Sequence, residues 1–172
     1  MTATPISDAS AQQALRDAMA AVASPVAVVT ALDGRRPHGT TVSAFTSLSL
    51  APPMILVSLD NESQLLAIIR RTRRFGLNVL GSHQIDLATA FARTGRDKFQ
   101  GIPWSPSEDL PRLPGSAAWL AAEVDAYVPG GDHTVLLAHA VAAERGPGNP
   151  NPLTYHQRSF GTHTPLATPL DT

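Results

Sequence analysis

The run from Gly39 to Val57, GTTVSAFTSLSLAPPMILV, limits what this chain can fold into more than any other stretch. From Thr41 it alternates, with Val42, Ala44, Thr46, Leu48 and Leu50 on one parity and Thr41, Ser43, Phe45, Ser47 and Ser49 on the other. Neighbouring side chains of a strand point to opposite faces, so period two predicts one extended strand with two unlike faces. The even face is mostly apolar and is expected to enter a core. The odd face carries four hydroxyls and one ring, and meets either water or a polar ligand. Pro52 and Pro53 lack the N–H that a ladder needs and stop it, after which Met54 restarts as an apolar strand expected to be buried on both faces.

The flanking segments predict the partners of that strand. Ala14, Leu15, Ala18, Met19 and Val22 recur at helical spacing over Ser10 to Val22, and Ser10 with Gln13 has the form of a capping box. Val26 to Leu32 reads as a strand, with Asp33-Gly34 as a hairpin turn and Arg35, Arg36 and His38 as a solvated tip beyond it. Asn61 or Ser63 caps a short helix through Leu65, Leu66, Ile68 and Ile69, which ends in Arg70, Arg71, Arg73 and Arg74, four cations suited to the negative end of a helix dipole. Phe75 to Leu80 is a further strand, and Leu87, Ala88, Phe91 and Ala92 mark a helix ending at Arg93. The four prolines between Gly101 and Gly115 rule out a regular helix or central strand there. Ala118 to Val128 and Thr134 to Ala143 form a hairpin across Pro129-Gly130-Gly131-Asp132, and Leu153 to Phe160 returns as a last strand or partial turn. Strands joined mostly by hairpins predict an antiparallel barrel or sandwich with helices outside, and the Gly-rich fingerprint of a dinucleotide crevice is missing.

The 172 residues are read as a single domain with its core over about 12–162, flexible at the first few residues and over 163–172. The sequence has no cysteine, so thiolate metal sites and disulfides are excluded. No apolar run is long enough to span a bilayer and no signal core opens the chain, which predicts a cytoplasmic protein without membrane contact. A formal net charge of −1 argues against a nucleic-acid partner. Lys98 is the one lysine among 13 basic side chains.

A search for catalytic motifs finds no nucleophile elbow, no paired carboxylates and no His-Glu-x-x-His helix. The histidines at 38, 83, 133, 139, 156 and 163 have no metal-ligand spacing, so no metal site is expected. The remaining candidates suit ligand holding. Ser43 and Ser47 offer hydroxyls from the odd face, Ser63 starts a helix whose free N–H groups favour an anion, and Arg93 and Lys98 flank a second helix end. Each also has an ordinary reading as a wet strand face, a simple cap or a solvated charge.

Taken in order, these pieces resemble the short-chain flavin reductases, the reductase components of two-component flavin-dependent monooxygenases, which have an FMN-binding split-barrel fold. The resemblance rests on the run from Gly39 to Pro53, on Ser63, on FGLNVL from Phe75 to Leu80, on Phe91-Ala-Arg93 and on Asp97-Lys98-Phe99-x-Gly101. Gly131-Asp132-His133 and Pro152-Leu153-x-Tyr155 complete it. It implies a mainly β, antiparallel split β-barrel with flanking helices, a homodimer, and an NAD(P)H:flavin oxidoreductase passing hydride from nicotinamide C4 to flavin N5 for a partner monooxygenase. FMN is the implied flavin with FAD open, and NADH or NADPH the donor. By the same resemblance Thr41, Ser43, Thr46, Ser47 and Leu48 line the ring and ribityl chain, Asn78, Val79 and Leu80 add backbone contacts, and Ser63, Arg93 and Lys98 lie toward the phosphate. His133 lies on the nicotinamide side. Thr46 and Leu48 have the wrong parity for the odd face, which requires backbone contact or a local bend. The chain departs from the family pattern at Ser43-Ala44, where Asn-Ser is common, at Ala51 before the prolines, where Asp is common, and at Ala122 in place of a Cys. A flavin-binding carrier or sensor without turnover, and an oxidase of the pyridoxamine-phosphate type, are the competing readings.

Overall fold

The computed structural model describes residues 8–95, 97–148 and 150–166. Strands β1 (Ser24–Pro25), β2 (Ala27–Asp33), β3 (Arg36–Val42), β4 (Phe45–Leu50) and β5 (Pro53–Asp60) follow the first helix, α1 (Asp8–Ala20). Helix α2 (Gln64–Thr72), strand β6 (Arg74–Val79) and helix α3 (Ile85–Ala92) come next. A small hairpin, β7 (Ser105–Ser107) with β8 (Leu110–Arg112), precedes the long hairpin β9 (Ala118–Gly130) with β10 (His133–Arg145). The short strands β11 (Leu153–His156) and β12 (Ser159–Thr162) close the described chain.

Seven strands form one antiparallel sheet in the order β3-β2-β6-β9-β10-β5-β4. The sheet coils around its own core without closing, since β3 and β4 are its two edges and are joined only through Ser43 and Ala44. This is the split-barrel architecture the motifs imply. The interior holds Val29 and Ala31 of β2, Val57 and Leu59 of β5, Phe75 and Leu77 of β6, and the apolar face of α2. Leu65, Leu66, Ile68 and Ile69 of that helix are all buried, each contributing about 1.5–3 kcal/mol of gross hydrophobic stabilisation. A second cluster sits on the outer side of β2, where Val28 packs with Leu80, Phe91 and Phe99. Hence β2 is buried on both faces and α3 is held against the sheet.

Several local expectations are corrected. Helix α1 begins at Asp8, so Ser10 lies inside it and caps nothing, and Gln13 Nε2 donates instead to Asp17 Oδ1 at 2.9 Å. The apolar residues Leu15, Met19 and Val22 are exposed. The turn after β2 is centred on Gly34-Arg35, with positive φ at Gly34 in the first central position that a two-residue hairpin of this kind requires. His38 is not part of a wet tip but is 9% exposed. The four arginines at the end of α2 are not merely solvated: Arg71 of its last turn pairs with Asp33 at 2.9 Å, Arg74 with Glu108 at 4.0 Å, and the C-cap Arg73 donates to the carbonyl oxygens of Val124 and Asp125. Strand β5 buries one face through Ile55, Val57 and Leu59, while Met54, Leu56 and Ser58 are only half-buried. Gly161 and Thr162 belong to β12, and residues 1–7 and 167–172 lie outside the described ones.

At Gly39 the sheet approaches α3 closely, near the groove described below. A Cβ at this position would lie 2.9 and 3.0 Å from ring atoms of Phe91 and 3.3 Å from Phe99. Those rings meet edge to face with centroids 4.9 Å apart, and Phe91 is fully buried, so neither can yield freely. Gly39→Ala is expected to lower stability by about 1–3 kcal/mol, the usual range for overpacking a core. Urea unfolding should show a lower midpoint at unchanged slope; an unchanged midpoint would mean that α3 is free to move away.

Candidate active site

The strand expected to run from Thr41 to Leu50 breaks at Ser43-Ala44, and that break builds the site. Val42 is buried at the end of β3, both break residues are exposed, and β4 resumes with Phe45 packed on the core. The parity therefore inverts: Thr46, Leu48 and Leu50 of the face expected inside are exposed, Leu50 at 88%. A second irregularity between Ser47 and Ser49 shifts the register against β5. Ser58 N–H donates to Ala44 O at 2.9 Å, so the break is pinned to β5 without a ladder across it.

Two cavities meet at Thr40 and Ser63, and one of them opens at this break. The first, about 230 Å³, is walled by Thr41, Ser43, Ala44, Asp60, Ser63 and His133. The second, about 290 Å³, is walled by His38, Gly39, Gln64, Arg93 and Lys98 among others. Thr40 and Ser63 line both, so the two make one groove running across the start of α2. Ser63 is the N-cap of α2 and makes no side-chain cap bond, which leaves its hydroxyl and the first helical N–H groups for a ligand.

The second cavity suits an anion. Lys98 Nζ donates to Phe91 O at 2.8 Å, near the carbonyl end of α3, and to Thr40 Oγ1 at 3.4 Å. Burial pulls its ammonium below the ordinary lysine range. Arg93 is the exposed C-cap of α3 on the same wall. His38 adds an imidazole whose Nε2 is buried without a partner; burial, then the nearby Arg36 cation, lowers its pKa and favours the neutral ring. In the first cavity, His133 Nδ1 donates to Asp132 Oδ1 at 2.7 Å, because a carboxylate only accepts. That bond, with the imidazole's charge, holds the Asp132 carboxyl below its ordinary range. Thr41 Oγ1 donates to Ala88 O at 2.7 Å, which ties α3 to β3 and turns the hydroxyl's remaining capacity to accepting.

The groove thus gathers Thr41, Ser43, Ser63, Arg93, Lys98 and His133. It does not gather the others. Thr46, Ser47 and Val79 line a separate, largely apolar hollow of about 440 Å³ with Phe45 and Leu120, and Leu48 lies exposed on β4. Asn78 and Leu80 are fully buried. The backbone contacts expected from Asn78 to Leu80 are corrected by pairing: β6 is laddered to β2 and β9, and Leu80 N–H and C=O bond to Val26 O and Leu153 N–H. The Asn78 side chain donates to Val28 O and accepts from Leu113 N–H at 2.8 Å, so it fastens β6 to β2 and to the loop after β8. Residues missed from the sequence are Thr40, His38 and Asp60. Their only sequence signal was nearness to Gly39 and Ser63, and His38 was masked by two arginines that mimic a solvated tip.

Known proteins resemble this chain in sequence and in fold. A family model described as the flavin reductase like domain matches residues 19–164. The reductase component of a 4-nitrophenol 4-monooxygenase/4-nitrocatechol 2-monooxygenase from Rhodococcus opacus is 39% identical over 87% of this chain and 80% of its own length. An NADH:riboflavin 5'-phosphate oxidoreductase from Streptomyces pristinaespiralis is 35% identical over 92% of each chain. The crystal structure of nitrilotriacetate monooxygenase component B from Mycobacterium thermoresistibile superposes with a TM-score of 0.90 at 28% identity, over 96% of this chain and 94% of that one.

Asn78→Ala should separate fastening from ligand contact. It leaves the buried Leu113 N–H without its acceptor and is expected to cost about 1–3 kcal/mol of stability. In the folded protein the KM for flavin should stay within about twofold of wild type, since a residue outside the groove has no uniform binding to lose. A large rise in that KM measured in steady-state assays would return Asn78 to the site.

Proposed function

The chain belongs to the flavin reductase-like family, and from that premise we propose an NADH-dependent flavin reductase that supplies reduced flavin to a partner monooxygenase. The observation that carries the reading is the groove itself, cationic and N–H-rich at one end, open at a strand break at the other, with His133 beside the break.

The donor set fits a flavin mononucleotide. At the phosphate end, the first N–H groups of α2, Lys98 and Arg93 converge, and charge-assisted bonds of that kind fix an anion's position. Near the break, Ser43 and the main chain at Ala44 offer hydrogen bonds to a polar ring edge, and Thr41 can accept. Nicotinamide and flavin exchange a hydride directly when both are bound, so the chemistry asks the protein for orientation rather than an acid–base pair. His133 is oriented by Asp132 through Nδ1, which leaves Nε2 as the ring's remaining polar atom for the donor. The empty search for catalytic motifs follows from this division of labour.

The working enzyme is a homodimer of the cytoplasm, where reduced nicotinamide nucleotides are made. Exposed Leu15 and Met19 on α1 and Val22 just after it, with Leu48 and Leu50 on β4, support pairing of two copies. Among the described residues no helix is long and apolar enough to cross a membrane.

Purified protein should accelerate NADH oxidation only when FMN or FAD is added, followed by loss of NADH absorbance. A bound yellow chromophore with no NADH oxidation would replace this reading with a flavin carrier. Lys98→Ala should raise the KM for FMN about tenfold, the scale of one charge-assisted bond, and leave that for riboflavin, which has no phosphate, within about twofold. Because Lys98 also bonds Phe91 O, an equal loss with both flavins would assign it to holding α3 instead. His133→Ala should slow hydride transfer while flavin affinity is kept; loss of flavin or of folding would make His133 a turn residue.

A further inference from the structure

The ladder between β10 and β5 ends at the pair His133 and Asp60, and beyond it lies the two-residue turn of the β9–β10 hairpin, closed by the pair His133 and Gly130. That turn, Gly131-Asp132, is held from outside by Asn61. Asn61 N–H donates to Asp132 O at 3.0 Å, Asn61 Nδ2 donates to Gly131 O at 3.2 Å, and Asn61 Oδ1 accepts from Thr134 Oγ1 at 2.7 Å. One residue therefore bonds to the chain on both sides of His133. Thr134 is buried and its hydroxyl also accepts from Arg70 Nη2 of α2 at 3.2 Å, so the brace continues into the helix. Arg70 in turn lies 5.4 Å from the centre of the Tyr127 ring, whose hydroxyl donates to Ile69 O. Two residues after Asn61 stands Ser63, the N-cap of α2 and a wall of both cavities. Asn61 is exposed and walls neither cavity.

We propose that Asn61 is a positioning residue for hydride transfer: it clamps the Gly131–His133 turn to the start of α2, so that His133 and the anion-binding helix end keep one fixed spacing. The inference rests on the role given to His133 above and adds what sets that residue's place. An amide is needed because the clamp uses a donor and an acceptor at once. Asp at this position would keep the acceptor for Thr134 but lose the donor to Gly131. Ala would lose both side-chain bonds and keep only the main-chain bond from Asn61 N–H to Asp132 O, which loosens the turn against the groove.

The test is a double-mutant cycle on the hydride-transfer rate, read by stopped-flow bleaching of flavin with NADH in single turnover. Asn61→Ala should slow transfer about tenfold in the wild-type background and less than about twofold in His133→Ala, with flavin affinity by fluorescence titration unchanged in both. Thr134→Val removes one bond of the clamp from the opposite side and should reproduce part of the slowing, which keeps the test alive if Asn61→Ala folds poorly. Equal slowing in both backgrounds, or a loss of flavin affinity as large as the loss of rate, would overturn the proposal and make Asn61 a structural brace of α2. Normal transfer in Asn61→Ala alongside slow transfer in His133→Ala overturns the clamp alone, whereas normal transfer in His133→Ala removes the premise.

Discussion

The structure depends on a missing ladder. Strands β3 and β4 are consecutive in sequence and belong to one sheet, yet they sit at its opposite edges and touch through two residues rather than through paired backbone. An open edge exposes N–H and C=O groups that must be covered by something. Here the β3 edge and the break that follows it line one groove. The turn after β5 then delivers the start of α2 to the same place. Closing the ladder would satisfy the backbone and abolish the groove. The single bond from Ser58 N–H to Ala44 O keeps the gap from widening while leaving Ser43 exposed beside it.

Electrostatics follows from how two helices end there. The N-terminus of α2 presents the positive end of its dipole to the groove, whereas α3 arrives with its carbonyl end, which by itself would repel an anion. Lys98 resolves the conflict by donating to Phe91 O, so a cation covers the carbonyl end and remains on the cavity wall. Its partial burial strengthens its attraction for an anion, because less water screens the charge. The one lysine in the chain thus covers a helix end and lines the groove at once, and a flavin that lacks the phosphate separates those two roles.

Much of this was legible because periodicity reports burial directly. The apolar set of α2, the β9–β10 hairpin and the helix ending at Arg93 all appear close to their expected places. What failed failed for physical reasons. Alternation cannot reveal a break between Val42 and Phe45, because Ser43 and Ala44 continue the polar–apolar pattern while the backbone leaves the strand. The even face was therefore assigned inward, and Phe45 rather than Thr46 turned out to point to the core. Asn78 shows the opposite difficulty: its side chain's partners, Val28 and Leu113, are 50 and 35 residues away in sequence and cannot be inferred from local pattern.

The departures from the family pattern can now be weighed separately. Ala51 lies in the turn between β4 and β5 and walls neither groove cavity, so its lost carboxylate does not bear on the ring. Ala122 is fully buried on β9 opposite Phe75 and walls neither groove cavity. Ser43-Ala44 is different, because both residues stand in the break at the wall of the groove. Replacing a polar side chain there by a methyl removes hydrogen-bonding capacity from the ring end and none from the phosphate end. On the proposed placement of the flavin, the balance of grip shifts toward Ser63, Arg93 and Lys98. A site held mainly by its charged end grips a flavin through a feature that does not change on reduction, and that suits a protein whose product must leave for another enzyme.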